Sequence, residues 1–264
     1  MMTRAVALLA LAAALGGCAA AKYVTPGGPA RLDSIDRADI AEVAARQPAA
    51  SFPARIAVVR VQAADYRSST AEPLATGRFA VVPTKELISD DELRTIGEWD
   101  DVAAVAPLSK LLLPAKLESI EDLRVAAAKL QADVLLVYTL DTTFRVQGRG
   151  YGPLAVLSLG LAPDRDAYVT STASAIFVDV RTGFVYGVAE ATEKDSGLTS
   201  AWSSSDTVDA KRIAAEREAC RTLLPKLNGI LQCPLLVEKD GRLHRVAEGY
   251  DEATGFLITG GQPP

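Results

Sequence analysis

Val134 to Leu140 reads Val-Leu-Leu-Val-Tyr-Thr-Leu, a continuous apolar run broken only by Thr139. A run this short and this unbroken predicts a strand buried on both faces, not one with a wet side. Such a strand requires packing layers on both sides of its sheet. The segment before it, Glu118 to Gln131, carries Ile120, Leu123, Ala127 and Leu130 at helical spacing. Ser119 followed by Asp122 is a near capping box at its start. Helix, Ala132-Asp133 and buried strand together form an α/β junction.

The other elements follow from the same rules. Arg55 to Gln62 reads as a strand with arginines near its ends, and Arg78 to Val82 as a shorter one. Acids at Asp90, Asp91 and Glu92 suit the first turn of a helix, and Asp101 to Leu108 is weakly strand-like. Leu32 to Arg46 reads as a helix capped by Asp33 or Ser34, with Ile35, Ile40 and Val43 on one side. Tyr168 to Val180 and Phe184 to Thr192 form a long hairpin around Arg181-Thr182-Gly183, with Gly183 available for φ > 0. Ser196 to Ser205 reads as a loop. Asp206 to Leu224 is a second strong helix, with Ile213, Cys220, Leu224 and Leu227 on one side and Lys211, Glu218 and Arg221 toward water. Pro225 predicts its stop or kink. Leu235 to Val246 is a small hairpin around Asp240-Gly241. The expected fold is α+β (mixed α/β): an antiparallel-rich sheet with a long β-hairpin and helices packed on it.

The chain of 264 residues has 49% hydrophobic and 6% aromatic residues, three cysteines and one histidine. Part of the hydrophobic excess lies at the N-terminus. Met1 to Arg4 carry one positive charge, and Ala5 to Leu15 is an apolar run too short to span a bilayer. A basic start, a short apolar run and small residues before a cut describe a secretory signal peptide. Leu15-Gly16-Gly17-Cys18 resembles the bacterial lipobox, which implies that Cys18 carries a diacylglycerol and an acylated amine after cleavage. Several acyl chains anchor firmly, at roughly 0.8 kcal/mol per buried CH₂. Ala19 stands where an Asp would resemble an inner-membrane retention signal. The resemblance therefore implies an outer-membrane anchor facing the periplasm.

The expected organisation is a signal peptide over 1–17, lipidated Cys18 and a flexible tether over 18–30, a periplasmic α/β body over 31–232, and a C-terminal hairpin and disordered tail over 233–264. Pro26, Gly27, Gly28 and Pro29 make the tether. With Cys18 lipidated, Cys220 and Cys233 remain. In an oxidising compartment they form a disulfide, if Pro225, Asn228 and Gly229 turn the chain back, or stay two separate buried thiols. A bridge of that loop size would add roughly 3 kcal/mol.

Catalytic signals are sparse. The formal charge of −5 argues against a nucleic-acid partner, which needs a basic face. One histidine cannot build a multi-histidine metal centre. His244 lies between Arg242 and Arg245 with no orienting partner that the sequence identifies. The neighbouring acids Asp100-Asp101 and Glu121-Asp122 point apart and read as caps. Gly148-Arg149-Gly150-Tyr151-Gly152 is followed by Pro153 rather than a helix, so it does not read as a phosphate loop. No catalytic residue, metal or cofactor is therefore expected. Trp99 and Trp202 read as core packing or as partner anchors, and Gly148 to Pro163, whose apolar core includes Leu154, Val156 and Leu157, as a strand or short packed turn or as a mobile apolar flap that meets a partner or membrane surface.

Leu130 to Tyr138, Phe177-Val178-Asp179-Val180 and Arg181-Thr182-Gly183 together resemble the rhombotarget lipoprotein family. More distantly they are similar to the CsgG/LpoB-like periplasmic α/β domain. In those proteins a helix ending in Gly-Ala-Asp precedes a strand, and a later strand ends in Asp-x-x-Thr-Gly. Gln131 stands here in place of the Gly. The resemblance implies an envelope lipoprotein whose motifs are structural punctuation. The expected function is a non-catalytic binding or assembly module, anchored to the membrane by lipid, with an envelope protein or a second copy as partner. An oligomeric transport or secretion component is the alternative, and an envelope hydrolase comes third.

Overall fold

The structure is a computed structural model that describes residues 28–30, 40–68, 70–148, 165–199, 205–232, 235–239, 242–246, 250–251 and 256–257. In chain order its elements begin with helix α1 (Ile40–Ala45), strands β1 (Ala54–Ala63), β2 (Thr76–Gly77) and β3 (Phe79–Val82), and a 3-10 turn (Thr84–Glu86). Helix α2 (Asp90–Gly97), β4 (Val102–Pro107), a second 3-10 turn (Lys110–Leu112), β5 (Lys116–Leu117) and α3 (Ile120–Lys129) follow. Three 15-residue strands come next, β6 (Val134–Gly148), β7 (Arg165–Asp179) and β8 (Val185–Thr199), and then the long helix α4 (Ser205–Leu231). Strands β9 (Leu235–Lys239) and β10 (Arg242–Val246) form an antiparallel hairpin, and β11 (Tyr250–Asp251) pairs with β12 (Phe256–Leu257).

The main sheet has six strands in the order β3-β1-β6-β7-β8, with β4 pairing the other half of β1. Strand β1 runs parallel to β6 and β4, while the β1–β3, β6–β7 and β7–β8 pairs are antiparallel. This is the expected mixed α+β fold. The double burial expected of Val134 to Leu140 is realised by two packing layers. Val134, Leu136, Tyr138 and Leu140 face one cluster, which α4 covers with Ala219, Leu223 and Leu227. Leu135 and Val137 face the other, which α3 covers with Ile120, Leu123 and Ala127.

Four local expectations need correction. Ile40 and Val43 of α1 are exposed, at 86% and 45%, so this helix offers no apolar face to the core. Arg60 lies deep inside the sheet and is fully buried. Strand β8 continues to Thr199 and α4 begins at Ser205, so the first four residues of the expected loop, Ser196 to Thr199, are strand. Helix α4 also runs through Pro225 to Leu231. A proline inside a helix costs about 3 kcal/mol. Leu227, Ile230 and Leu231 beyond it are buried, and at roughly 1.5–3 kcal/mol each their burial outweighs that loss. The chain therefore does not turn back at Pro225, Asn228 or Gly229. Cys220 is a free, buried thiol, and Cys233 lies outside the described residues.

The helix-to-strand junction is built as the sequence implies. Ser119 Oγ accepts from the Glu121 N–H, and Asp122 accepts from the N–H groups of Ser119 and Glu118. After α3 the chain reverses through Gln131 at φ 57°. That is the left-handed conformation a glycine adopts freely and an L-residue adopts at a cost. Gln131→Gly is expected to stabilise the fold by about 1 kcal/mol, the strain relieved less the entropy a glycine adds to the unfolded chain. Chemical denaturation checks this, and a clear loss of stability would refute it.

Candidate functional site

The α4-facing side of the sheet is apolar at one end and polar at the other. Along β1, Ile56 and Val58 give way to Arg60 and Gln62, and along α4 the leucines give way to Cys220, Glu216 and Arg212. Arg60 Nη1 donates to Glu86 Oε2 at 2.5 Å, and its Nη2 lies 3.5 Å from Glu216 Oε2. Arg212 Nη1 donates to the same Glu216 oxygen at 2.8 Å, and its Nε donates to Asp209 at 3.3 Å. Arg212 Nη2 donates to Ser68 Oγ at 3.1 Å, and Thr70 Oγ1 donates to Glu86 Oε1. Thr142 Oγ1 donates to Glu216 Oε1 at 3.0 Å. The Arg60 guanidinium also lies 5.5 Å from the centre of the Tyr66 ring, a cation–π distance.

Two buried arginines and two carboxylates thus neutralise one another between β1, the first 3-10 turn, the 66–70 loop and α4. Burial alone would lower the Arg60 pKa, but Tyr66, Glu216, Tyr138 and Glu86 together raise it, so Arg60 stays charged. Burial pushes the Tyr138 hydroxyl well above its ordinary value and the Cys220 thiol up to about 12. Neither group is an activated nucleophile at neutral pH. The chemistry of this cluster is that of a clamp.

A second hub closes the opposite end of the sheet. Asp179 is fully buried at the end of β7. Its Oδ1 accepts from the N–H groups of Arg181 and Thr182 at 2.8 and 3.0 Å. Its Oδ2 accepts from the N–H groups of Ala49 and Ala50 at 2.7 and 2.8 Å, and from the Tyr186 hydroxyl at 2.7 Å. One carboxylate therefore ties the β7–β8 turn to the segment that leads into β1. Gly183 closes that turn at φ 73°, and a Cβ there would meet Arg124 Nη1 at 3.0 Å. At the other junction, Asp133 Oδ2 accepts from the Arg55 N–H at 3.0 Å and from Arg55 Nε at 3.2 Å. The Ala-Asp and Asp-x-x-Thr-Gly positions are thus hydrogen-bond anchors.

The chain enters the body at a defined place. Gly28 O accepts from the Ala63 N–H at 2.9 Å, and the Ala30 N–H donates to Thr139 Oγ1 at 3.1 Å. Thr139 in turn donates to Gln62 Oε1, which also accepts from the Leu140 N–H, while Gln62 Nε2 donates to Leu140 O. The Gln62 side chain thus continues the β1–β6 ladder past Arg60–Tyr138, its last backbone pair.

Of the residues singled out from sequence, Trp99 is half-buried and packs on the α4-side core. Trp202, Leu154, Val156, Leu157, Cys18 and Cys233 lie outside the described residues. His244 pairs with Val237 in the β9–β10 hairpin. Among the described residues no group of three metal-ligating side chains occurs, and no helix is long and apolar enough to cross a membrane. Sequence reasoning missed the Arg60 cluster. Its legible traces were the 209, 212, 216 spacing of opposite charges on α4 and an arginine set among valines in β1.

No family model matches the chain, and neither does any curated protein. Solved structures similar to it include protein XCC0632 of Xanthomonas campestris, of family DUF330, at 11% identity over 77% of this chain and 95% of that one, with a TM-score of 0.30. Lipoprotein GNA1162 of Neisseria meningitidis is similar at 17% identity over 64% of this chain and 99% of that one, also with a TM-score of 0.30. At these values the likeness carries no function, and the functional reading rests on this chain's own residues.

The Asp179 hub makes stability depend on pH. Burial would raise the Asp179 pKa, but the N–H of Thr182, the Tyr186 hydroxyl and the N–H groups of Ala49 and Ala50 hold it below the ordinary carboxylate range. A depressed folded-state pKa contributes stability that is complete above the unfolded value of about 3.9 and is lost as pH falls through the folded value. Asp179→Asn turns one acceptor into a donor facing donors, and is expected to destabilise the fold by about 1–3 kcal/mol at pH 7. It should also flatten the loss of stability below about pH 4. Asp133 and Glu92, which are held down as well, retain part of that acid sensitivity. Urea denaturation at pH 3, 4 and 7 tests this, and an unchanged pH slope in the variant would contradict it.

Proposed function

We propose that this chain is a lipid-anchored bacterial envelope lipoprotein, held at the outer membrane and facing the periplasm. It acts as a non-catalytic binding or assembly module. The observation that carries this reading is where the tether meets the body. Cys18, in its lipobox-like setting, precedes Gly28 by ten residues, and Gly28 and Ala30 are hydrogen-bonded onto the end of β1 and the middle of β6. A ten-residue tether spans at most about 35 Å, which keeps the body beside the membrane surface. Neighbouring envelope proteins are the partners such a body meets.

The rest of the structure supports a module over an enzyme. The buried charges at Arg60, Glu86, Arg212 and Glu216 face one another. The Asp179 and Asp133 carboxylates are occupied by backbone and side-chain donors. These groups hold elements together, and none of them needs a substrate to explain its position.

Mass spectrometry of the purified protein and fractionation of cells test the anchor. The wild-type chain is expected to begin at an acylated Cys18 and to sediment with outer membranes. Cys18→Ala is expected to lose both the acyl mass and the outer-membrane fraction. A Cys18→Ala variant that still reaches the outer membrane would overturn the reading.

A further inference from the structure

Strand β8 pairs with β7 on one side and, among the described residues, with no strand on the other. Its backbone groups alternate between those two sides. The Asp179 N–H donates to Phe184 O, so Asp179 turns its backbone toward the β8 side. By alternation, so do Phe177, Ala175, Ala173 and Ser171. Their partners in register are Gly187, Ala189, Ala191 and Glu193. Val188, Glu190, Thr192 and Lys194 therefore turn their N–H and C=O groups to the open edge. Lys226 Nζ of α4 donates to Glu190 O at 2.8 Å, which agrees with that direction. An open strand edge is a template for pairing with another chain.

The sequence along this edge limits what can pair with it. Glu190, Thr192 and Lys194 are exposed, on the face of the sheet away from α4. An antiparallel second copy about a two-fold axis at Thr192 would set Thr192 opposite itself. It would also set Glu190 opposite Lys194, twice. An axis at Glu190 would oppose two glutamates, and one at Lys194 would oppose two lysines. Axes at Ala191 or Glu193 would set Glu190 opposite Thr192 or Thr192 opposite Lys194, and neither brings Glu190 and Lys194 together. Thr–Thr and opposite-charge pairs are the favourable cross-strand neighbours. The same axis treats α4 alike. Thr222 donates to Glu193 and so stands near the axis, with exposed Glu218 and Lys226 one helical turn to either side of it. Two antiparallel α4 helices would then bring opposite charges together.

We propose that β8 pairs antiparallel with β8 of a second copy of this chain about an axis at Thr192, joining two six-stranded sheets into one. The contact is isologous, as a closed two-fold dimer requires. Lys226 guards the edge in the single chain, and its flexible stem swings clear on pairing. This names a partner for the binding module proposed above and rests on that reading.

Sedimentation velocity of the full chain purified in detergent tests it. The wild type is expected to be a dimer. Glu190→Lys and Lys194→Glu should each weaken the dimer by about tenfold or more, because two cross-strand pairs turn from attractive to repulsive. An equimolar mixture of the two variants should restore dimers, since each then faces its opposite charge, and so should both substitutions in one chain. In oxidised envelopes Thr192→Cys should give a disulfide-linked dimer and Glu190→Cys should not. A monomeric wild type, insensitivity to the single substitutions, or a mixture that stays monomeric would each overturn the proposal. A monomer that is still acylated and still cross-links to another envelope protein would sink the β8 contact alone. A chain that is neither acylated nor captured would sink the underlying reading.

Discussion

Arg60 is a charge in the middle of a sheet, fully buried. An unpaired ion in that position would cost several kcal/mol, so the layer over it must bring carboxylates to it. Glu86 arrives on the turn after β3, and Glu216 on α4. Arg212 then shares Glu216 and reaches the 66–70 loop. The placement of α4, of the turn after β3 and of that loop all answer one buried guanidinium. It locks the 66–70 loop and the turn after β3 in register with α4, which lies far along the chain.

This requirement divides α4 into two parts. Its C-terminal half is an apolar plug over Val134, Leu136 and Phe177, strong enough to carry the helix past Pro225. Its N-terminal half is a polar clamp. The division leaves β6, β7 and β8 as a three-stranded extension beyond the last β1–β6 pair. Gly28 and Ala30 bond the sheet where that extension begins. The 28–30 segment, this extension and the β8 edge, which pairs with no further strand among the described residues, therefore meet in one sheet.

The elements legible in the sequence were those set by local rules. The unbroken apolar run at Val134 to Leu140 required two covering layers, and α3 and α4 supply them. Asp133 and Asp179 to Gly183 were readable as punctuation because carboxylates and a left-handed glycine at turns act on near neighbours. Gln131 stood out as a departure from glycine, and its positive φ is the reason. The Arg60 cluster was not legible, because Glu86 and Glu216 lie far along the chain and nothing local marks them as partners. The passage of α4 through Pro225 was not legible either. Proline reads as a stop until the burial of Leu227, Ile230 and Leu231 is known.

Equilibrium unfolding of Glu216→Ala tests most directly whether the buried cluster holds the fold together. Removing it strips the carboxylate shared by Arg60 and Arg212. Breaking a buried pair from one side costs about 3–5 kcal/mol, and a loss of that size with an unchanged denaturant slope is the result expected here. A loss below about 1 kcal/mol, the scale of an exposed ion pair, would show that α4 is held by its leucines alone and that the cluster is incidental.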